Sequence, residues 1–369
     1  MASQSTRIIA GFIPLLDCAV LAVAREKGFA EQEGIALKLV RETSWANIRD
    51  RIAVGHFDVA HMLAPMPIAA SLNLTSLAVP MLAPMLLGLG GNAITVAQSL
   101  WMEMEAAGAD AGGDPKPTGK ALASVISARR ASGMSPLRFG VVHPFSGHAY
   151  ELRYWLAAAG IDPDNDVEVT VLAPRLMADA LAAHQLDGYC VGEPWNTVAV
   201  LAGTGRIVTY KQAIWPDSPE KVLGVSTDWA RENPELLSRL IRALSAAADW
   251  CALPENTNEL AELLSKREYL NLSAEACIPA LTGRIRFGQQ GENMVPGFLS
   301  FAGGVNAMPS MAHGKWFYDQ MVRWGQVERS IKAQRQAQEI FSPEIYLAAL
   351  NLPHPVGTNG IRLFDGVDT

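Results

Sequence analysis

Charge is in short supply in this chain of 369 residues. Asp, Glu, Lys and Arg make up 18% of it against 49% for hydrophobic types, and acids outnumber bases to leave a net charge of −7. Such a composition suits a folded globular chain with a large core and room for two domains. The missing basic surplus argues against sequence-independent nucleic-acid binding, though a small site can still be locally positive. Cysteine is also scarce. Cys18, Cys190, Cys251 and Cys277 show no CxxC or metal-like spacing, and all sit in apolar runs, so buried free thiols are expected. No stretch of 18 uninterrupted apolar residues occurs, so no transmembrane helix is expected. Absent too are G-x-S-x-G, H-E-x-x-H, Walker and G-x-G-x-x-G matches in context, and the seven histidines are scattered. No catalytic residue, cofactor or metal is therefore assigned.

What the chain does contain is a repeat. Asp58-Val-Ala-His-Met-Leu-Ala-Pro65 is matched by Asp187 through Pro194, with an offset of 187 − 58 = 129. Upstream, Arg138-Phe-Gly-Val-Val-His-Pro matches Arg7-Ile-Ile-Ala-Gly-Phe-Ile-Pro, with an offset of 138 − 7 = 131. Each copy continues through a helical stretch, a glycine stop, a β-branched run and a short amphipathic helix. Two copies of one β-α-β-α-β unit imply two similar lobes, and a cleft between lobes is where a ligand most often sits.

Taken in order, residues 7–13 read as a strand buried on both faces, and Asp17 as the N-cap of a helix over Ala19–Lys27. Trp45 falls in a polar loop, Gly90-Gly91-Asn92 in a backbone-permissive turn, and Ala106–Lys120 in an exposed loop rich in Gly, Pro and Asp. Lobe one is expected over 1–95 and 222–330, lobe two over 96–221, and a wrapping segment over 331–369. Arg7 followed by Ile8–Ala24 superficially resembles a secretory leader. Asp17 interrupts that run, no Ala-x-Ala site precedes the first element, and a repeat copy needed for a lobe cannot be discarded. The expected compartment is the cytoplasm.

Four stretches then become specific together: His61-Met-Leu-Ala-Pro-Met-Pro67, Arg153-Tyr-Trp-Leu-Ala-Ala-Ala-Gly-Ile161, Gly192-Glu-Pro-Trp-Asn196 and Pro219-Glu-Lys-Val-Leu-Gly224. In this order the chain resembles the nitrate/bicarbonate branch of periplasmic solute-binding proteins, from about Arg7 to about Trp324. The resemblance implies an α/β, two-lobed periplasmic-binding-protein-like (type II) fold with a hinge. It also implies an oxyanion site on Trp45, Asn92, His148 and Lys221, with Asn47 and Gly91 beside them. Relatives of the transporter type usually carry glutamine where this chain has Asn92. Bicarbonate-binding relatives carry an acidic residue and a metal where this chain has Lys221, so lysine favours nitrate or nitrite without a metal.

Each assignment has a plainer counterpart. Trp45 can be a surface-packed ring, Ser146 a simple N-cap with His148 solvated in the first turn, and Gly90-Gly91-Asn92 an ordinary turn. Lys221 can be a surface residue paired with Glu220 or Asp217. Glu193 reads as a structural cap at the cleft wall.

The chain also resembles the cytoplasmic nitrate sensors of assimilation operons. That resemblance implies a nitrate/nitrite-binding sensor controlling an ANTAR-type RNA-binding response regulator, an antiterminator, with no direct nucleic-acid or membrane contact. The alternative is the periplasmic nitrate-binding subunit of an ABC importer with its leader removed. Thiamine-pyrimidine synthases share the architecture, but their cysteine-rich cluster has no counterpart here.

Overall fold

The computed structural model describes residues 5–301, 303–354 and 361–366. Two sheets organise them. The first is seven-stranded and runs Leu299–Ser300, Leu86–Gly90, Pro219–Ser226, Val59–Leu63, Thr6–Phe12, Ile35–Arg41, with Met81–Leu82 also on Pro219–Ser226. The second is five-stranded: Gly205–Tyr210, Asn92–Ala97, Gly188–Gly192, Leu137–Val141, Val167–Val171. Strands such as Val59–Leu63 and Gly188–Gly192 are buried at every residue, which explains their unbroken apolar runs.

The repeat is visible in the hydrogen bonding. Thr6–Phe12 pairs in parallel with Ile35–Arg41 and Val59–Leu63, and Leu137–Val141 pairs in parallel with Val167–Val171 and Gly188–Gly192. Asp58 accepts the Ile9 N–H at 2.7 Å while donating its own N–H to Ile9 O at 2.9 Å. Asp187 does the same with Arg138, at 2.7 and 2.8 Å. Structure therefore aligns Arg138 with Ile9, at the same offset of 129 that relates Asp187 to Asp58. The sequence match of Arg138 to Arg7 was two residues out of register, a slip that keeps the same strand face and so leaves the hydrophobic pattern unchanged.

The chain crosses between sheets at Gly90-Gly91, ahead of the expected boundary at 95, and Asn92–Ala97 belongs wholly to the second sheet. Gly90 has φ +70°, and a Cβ there would lie 2.3 Å from Phe298 O, so only glycine fits. The return crossing precedes Pro219. The strand Pro219–Ser226 lies in the first sheet, which places Glu220 and Lys221 in lobe one.

The exposed loop expected over Ala106–Lys120 is cut nearly in half by helix. Gln98–Ala106 and Pro115–Ala131 take both ends, leaving only 107–114 between. Asp114 caps the second helix by accepting Lys116 N–H at 2.9 Å, and Pro115 is its first residue. Buried Thr118, Leu122, Val125 and Ile126 supply the packing that composition alone did not reveal.

Beyond residue 310 the chain joins both lobes. Gln336 Nε2 donates to Ser71 O in lobe one, whereas Tyr150 OH donates to Gln326 and Tyr154 OH to Asp365 from lobe two. The wrap expected over 331–369 is not merely an outer one, since Phe341 and Tyr346 are fully buried, and ahead of it Trp316 packs at a tilt against Trp215 with centroids 4.1 Å apart. The remainder of the expected wrap, 355–360 and 367–369, lies outside the described residues. All four cysteines are free and buried, as expected. No described helix is long and apolar enough to cross a membrane.

Candidate functional site

Both lobes contribute to one enclosed polar cluster. From lobe one, the turn after Thr6–Phe12 presents Asp17, the strand Val59–Leu63 presents His61, and helix Trp45–Ala53 presents its first residue. Ser44 caps that helix, accepting Asn47 N–H at 3.3 Å. Glu220 and Lys221 come from Pro219–Ser226. The register against Leu86–Gly90 is irregular there, and both neighbouring side chains reach the cluster. From lobe two come Asn92 at a strand start, Lys211 at a helix start, and His148 and Glu151 on helix Gly147–Ala158. Ser146 caps that helix through Ala149 N–H, at 3.0 Å.

All of these side chains are buried. Lys221, His61 and His148 are 0% exposed, and Asp17, the most open, is 5% exposed. Lys221 Nζ lies 2.7 Å from Asp17 Oδ2 and 3.0 Å from Glu220 Oε1. Lys211 Nζ pairs with Glu151 and, at 2.9 Å, with Glu220 Oε2. Asn92 Nδ2 donates to both carboxylates, at 3.1 Å to Glu151 and 2.7 Å to Glu220. Glu220 is thus the lobe-one group that lobe two grips.

Burial would raise every acid here, but two carboxylates have enough counter-charge to resist. The Lys221 ammonium holds Asp17 below the ordinary range, and Lys221 and Lys211 do the same for Glu220. Glu151 keeps too little: burial raises it despite Lys211, and Glu220 adds to the rise. Burial would lower both ammoniums, yet the carboxylates outweigh it and raise them. Burial pushes His148 down to about 3 and lowers His61, so both rings are neutral near neutral pH.

Several polar atoms in the cluster have no partner. Trp45 Nε1, Asn92 Oδ1 and both nitrogens of His148 lack a hydrogen bond, as does His61, whose Nε2 stands 3.0 Å from Asp17 Oδ1 without alignment. Buried polar groups are normally satisfied, so unmatched N–H donors around an ammonium mark a place prepared for an acceptor. A Cβ on Gly192 would come 3.3 Å from Asn92 Oδ1 and 3.7 Å from His148 Nε2. Among the described residues, no group of His, Cys, Asp and Glu is arranged to hold a metal ion.

The structure brings together Trp45, Asn92, His148 and Lys221 and leaves out two expected residues. Asn47 is exposed, with its amide on Glu42 Oε2 at 3.0 Å. Gly91 spends its N–H on Phe298 O at 2.6 Å and its carbonyl on Glu193 N–H, because it forms the crossing between sheets. The plainer readings of Lys221 as a surface ion pair and His148 as a solvated residue fail on burial. Trp45 opens a helix; it does not lie in a loop with its N–H outward, and its ring sits 5.6 Å from that of His61.

Asp17 makes no cap bond, being turned inward to Lys221. Glu193 does cap, accepting Thr197 N–H at 3.1 Å, and burial raises it to about 7. Missed altogether were Glu151 and Lys211, which lie 60 residues apart. Asp17, His61 and Glu220 were noticed only in other roles. A histidine amid the apolar Val59–Leu63 was the one available signal.

With this geometry in view, relatives are informative. The chain is 31% identical over 381 residues to the nitrate/nitrite binding protein NrtA of Nostoc sp. (strain PCC 7120 / SAG 25.82 / UTEX 2576), covering 99% of this chain and 83% of that one. It is 33% identical over 364 residues to the nitrate import ATP-binding protein NrtC of Synechocystis sp. (strain ATCC 27184 / PCC 6803 / Kazusa), spanning 97% of this chain but only 52% of that longer one. The crystal structure of the periplasmic nitrate-binding protein NrtA from Synechocystis PCC 6803 superposes with a TM-score of 0.89 at 27% identity, covering 100% of this chain and 96% of that one. The alkanesulfonate-binding protein SsuA from Xanthomonas axonopodis pv. citri, at 15% identity and a TM-score of 0.60, shares the fold alone. The NMT1-like family model matches residues 1–265, and the chain belongs to that family, in its nitrate/bicarbonate solute-binding branch.

Proposed function

We propose that this protein binds a small planar monoanion, nitrate or nitrite, between its lobes, as the solute-binding subunit of an ABC importer. The observation that carries the reading is the fully buried Lys221 ammonium, in a cluster where the Trp45 N–H and both His148 ring nitrogens have no hydrogen-bond partner. Lysine provides the positive charge that a metal would otherwise provide. The donors come from both lobes, so an anion held by all of them stabilises the closed form through its differential affinity. The similarity to nitrate/nitrite binding proteins supports the same ligand class. Calorimetry with nitrate, nitrite, bicarbonate and sulfate, each with and without EDTA, tests it. Nitrate or nitrite should bind regardless of EDTA; binding of bicarbonate alone, or loss with EDTA, overturns the reading.

A second reading keeps the same ligand in a cytoplasmic sensor. In either reading the stretch that resembles a leader is working structure, since Thr6–Phe12 lies inside the lobe-one sheet and Ala19–Ala24 is at most 1% exposed. In this reading an ANTAR-type RNA-binding response regulator prefers the open form, and linkage makes it lower anion affinity by the factor that the anion lowers its own. Fractionation and a pull-down with and without nitrate separate the two. An RNA-binding partner released by nitrate favours the sensor, and membrane transporter subunits favour the importer.

A further inference from the structure

The site holds more negative charge than an anion site needs. Asp17, Glu151 and Glu220 contribute −3 and Lys211 and Lys221 +2, so with neutral histidines the enclosed cluster carries −3 + 2 = −1. Binding a monoanion there would bring the total to −2 in a region of low dielectric, where unbalanced charge is strongly disfavoured. The donors that would face the anion are nevertheless present and unpaired. Both facts are met if a proton enters with the anion.

We propose that anion binding is coupled to uptake of one proton by Glu151, which makes Glu151 the charge-balancing residue of the site. This inference rests on the anion-binding reading above. The geometry selects Glu151 over its neighbours. Glu220 is held by both ammoniums and Asn92, and Asp17 by Lys221 with His61 at 3.0 Å. Glu151 has one ammonium, Lys211, and shares it with Glu220.

The groups facing Glu151 are Lys211 from helix Lys211–Ile214, Glu220 from strand Pro219–Ser226, the uncharged Asn92 amide from Asn92–Ala97, and the Cys190 thiol from Gly188–Gly192, with His148 on its own helix. The thiol is raised far above neutrality by burial, and the His148 ring resists protonation. Among them only Glu151 is an acid that burial has moved towards neutrality. A protonated Glu151 still accepts from Lys211 through one oxygen. Lys211 is then released to pair more fully with Glu220, and the total charge after binding stays at −1.

The test is calorimetry of the intact chain with nitrate, run at each pH in buffers of different ionisation enthalpy. Above the range where Glu151 is already protonated, the observed heat should vary with buffer as expected for about one proton taken up per anion, and affinity should fall about tenfold per pH unit. In Glu151→Gln, which mimics the protonated carboxyl, nitrate should still bind while both the buffer dependence and the pH slope disappear. Glu193→Gln should leave them unchanged. Nitrate binding with no buffer dependence at any pH, or loss of the dependence in Glu193→Gln instead, overturns the inference and leaves the anion reading standing. Failure of all four anions to bind overturns the reading itself. The buffer series on the parent protein decides the matter even if the variants fold poorly.

Discussion

The two lobes share a backbone and differ in what they deliver. In each, a central strand is pinned by one aspartate two-fold, Asp58 on Ile9 and Asp187 on Arg138, with matching distances and register. After that strand the copies diverge. Lobe one turns through Leu16–Cys18 and sends a carboxylate, Asp17, into the cleft; lobe two turns through Ser146-Gly147 and sends the neutral His148. Lobe one also supplies the fully paired Lys221, and lobe two the under-compensated Glu151. A duplicated scaffold thus fixes where side chains arrive, while the charge of each lobe is set residue by residue. One lobe places an ammonium in the cluster; the other places uncharged donors and an acid that burial raises.

Lys221→Glu breaks the contrast most severely. A charge reversal placed against Asp17 and Glu220 leaves three carboxylates together, so it should abolish nitrate binding and also cost about 3–5 kcal/mol of stability. A fold-neutral outcome, which a surface position would allow, is excluded by its full burial. Urea denaturation alongside calorimetry reads both, and normal nitrate affinity would remove Lys221 from the site. Trp45→Phe probes the uncharged donors of lobe one. It deletes the unpartnered N–H and keeps most of the ring, so nitrate affinity should drop by about 1.5–3 kcal/mol, the range for a bond to a charged acceptor, with stability little changed. An unaltered affinity would make the ring purely a packing element.

The shared backbone device can be compared directly. Asp58→Ala and Asp187→Ala each remove a bond to a strand N–H, and each should cost about 1–2 kcal/mol in chemical denaturation. The lobe-one loss should be larger, because its bond is partly buried and that of lobe two is exposed. Equal losses would mean that burial does not grade the device.

The last effect is one of pH. The folded chain holds His148 at about 3 against 6.5 for the free ring, so the unfolded chain binds a proton that the folded chain refuses. That histidine therefore contributes a loss of stability as pH falls from about 6.5 towards 3, at about 1.4 kcal/mol per unit. In His148→Gln the stability curve measured from pH 6.5 down to 4.5 should be shallower by that amount, and an unchanged slope would show that the ring charges in the folded protein.

How much of this was legible beforehand depends on range. Local chemistry read well: the Asp…Pro repeat, the cap at Ser146, the crossing glycines and the cap at Glu193 all follow from a few adjacent residues and appear where expected. Trp45, Asn92, His148 and Lys221 were placed by likeness to a family, and the fold brings them together. Asn47 and Gly91 were carried along by proximity in sequence, yet a helix turn points one to solvent and a sheet crossing consumes the other. The helix opening at Pro115 was hidden because its first turn, Pro-Lys-Pro-Thr-Gly, has loop-like composition and its larger apolar residues, Leu122, Val125 and Ile126, come only after it.

By itself the sequence determined the duplicated α/β unit and the buried free cysteines, since periodicity, spacing and composition are properties of neighbouring residues. The tertiary structure alone decided the charge balance of the site. Asp17, Glu151, Lys211 and Glu220 come from four separate elements in two lobes, and no local pattern records that one ammonium must serve two carboxylates. Coulomb energy depends on distance through space and on burial, and both exist only once the chain has folded.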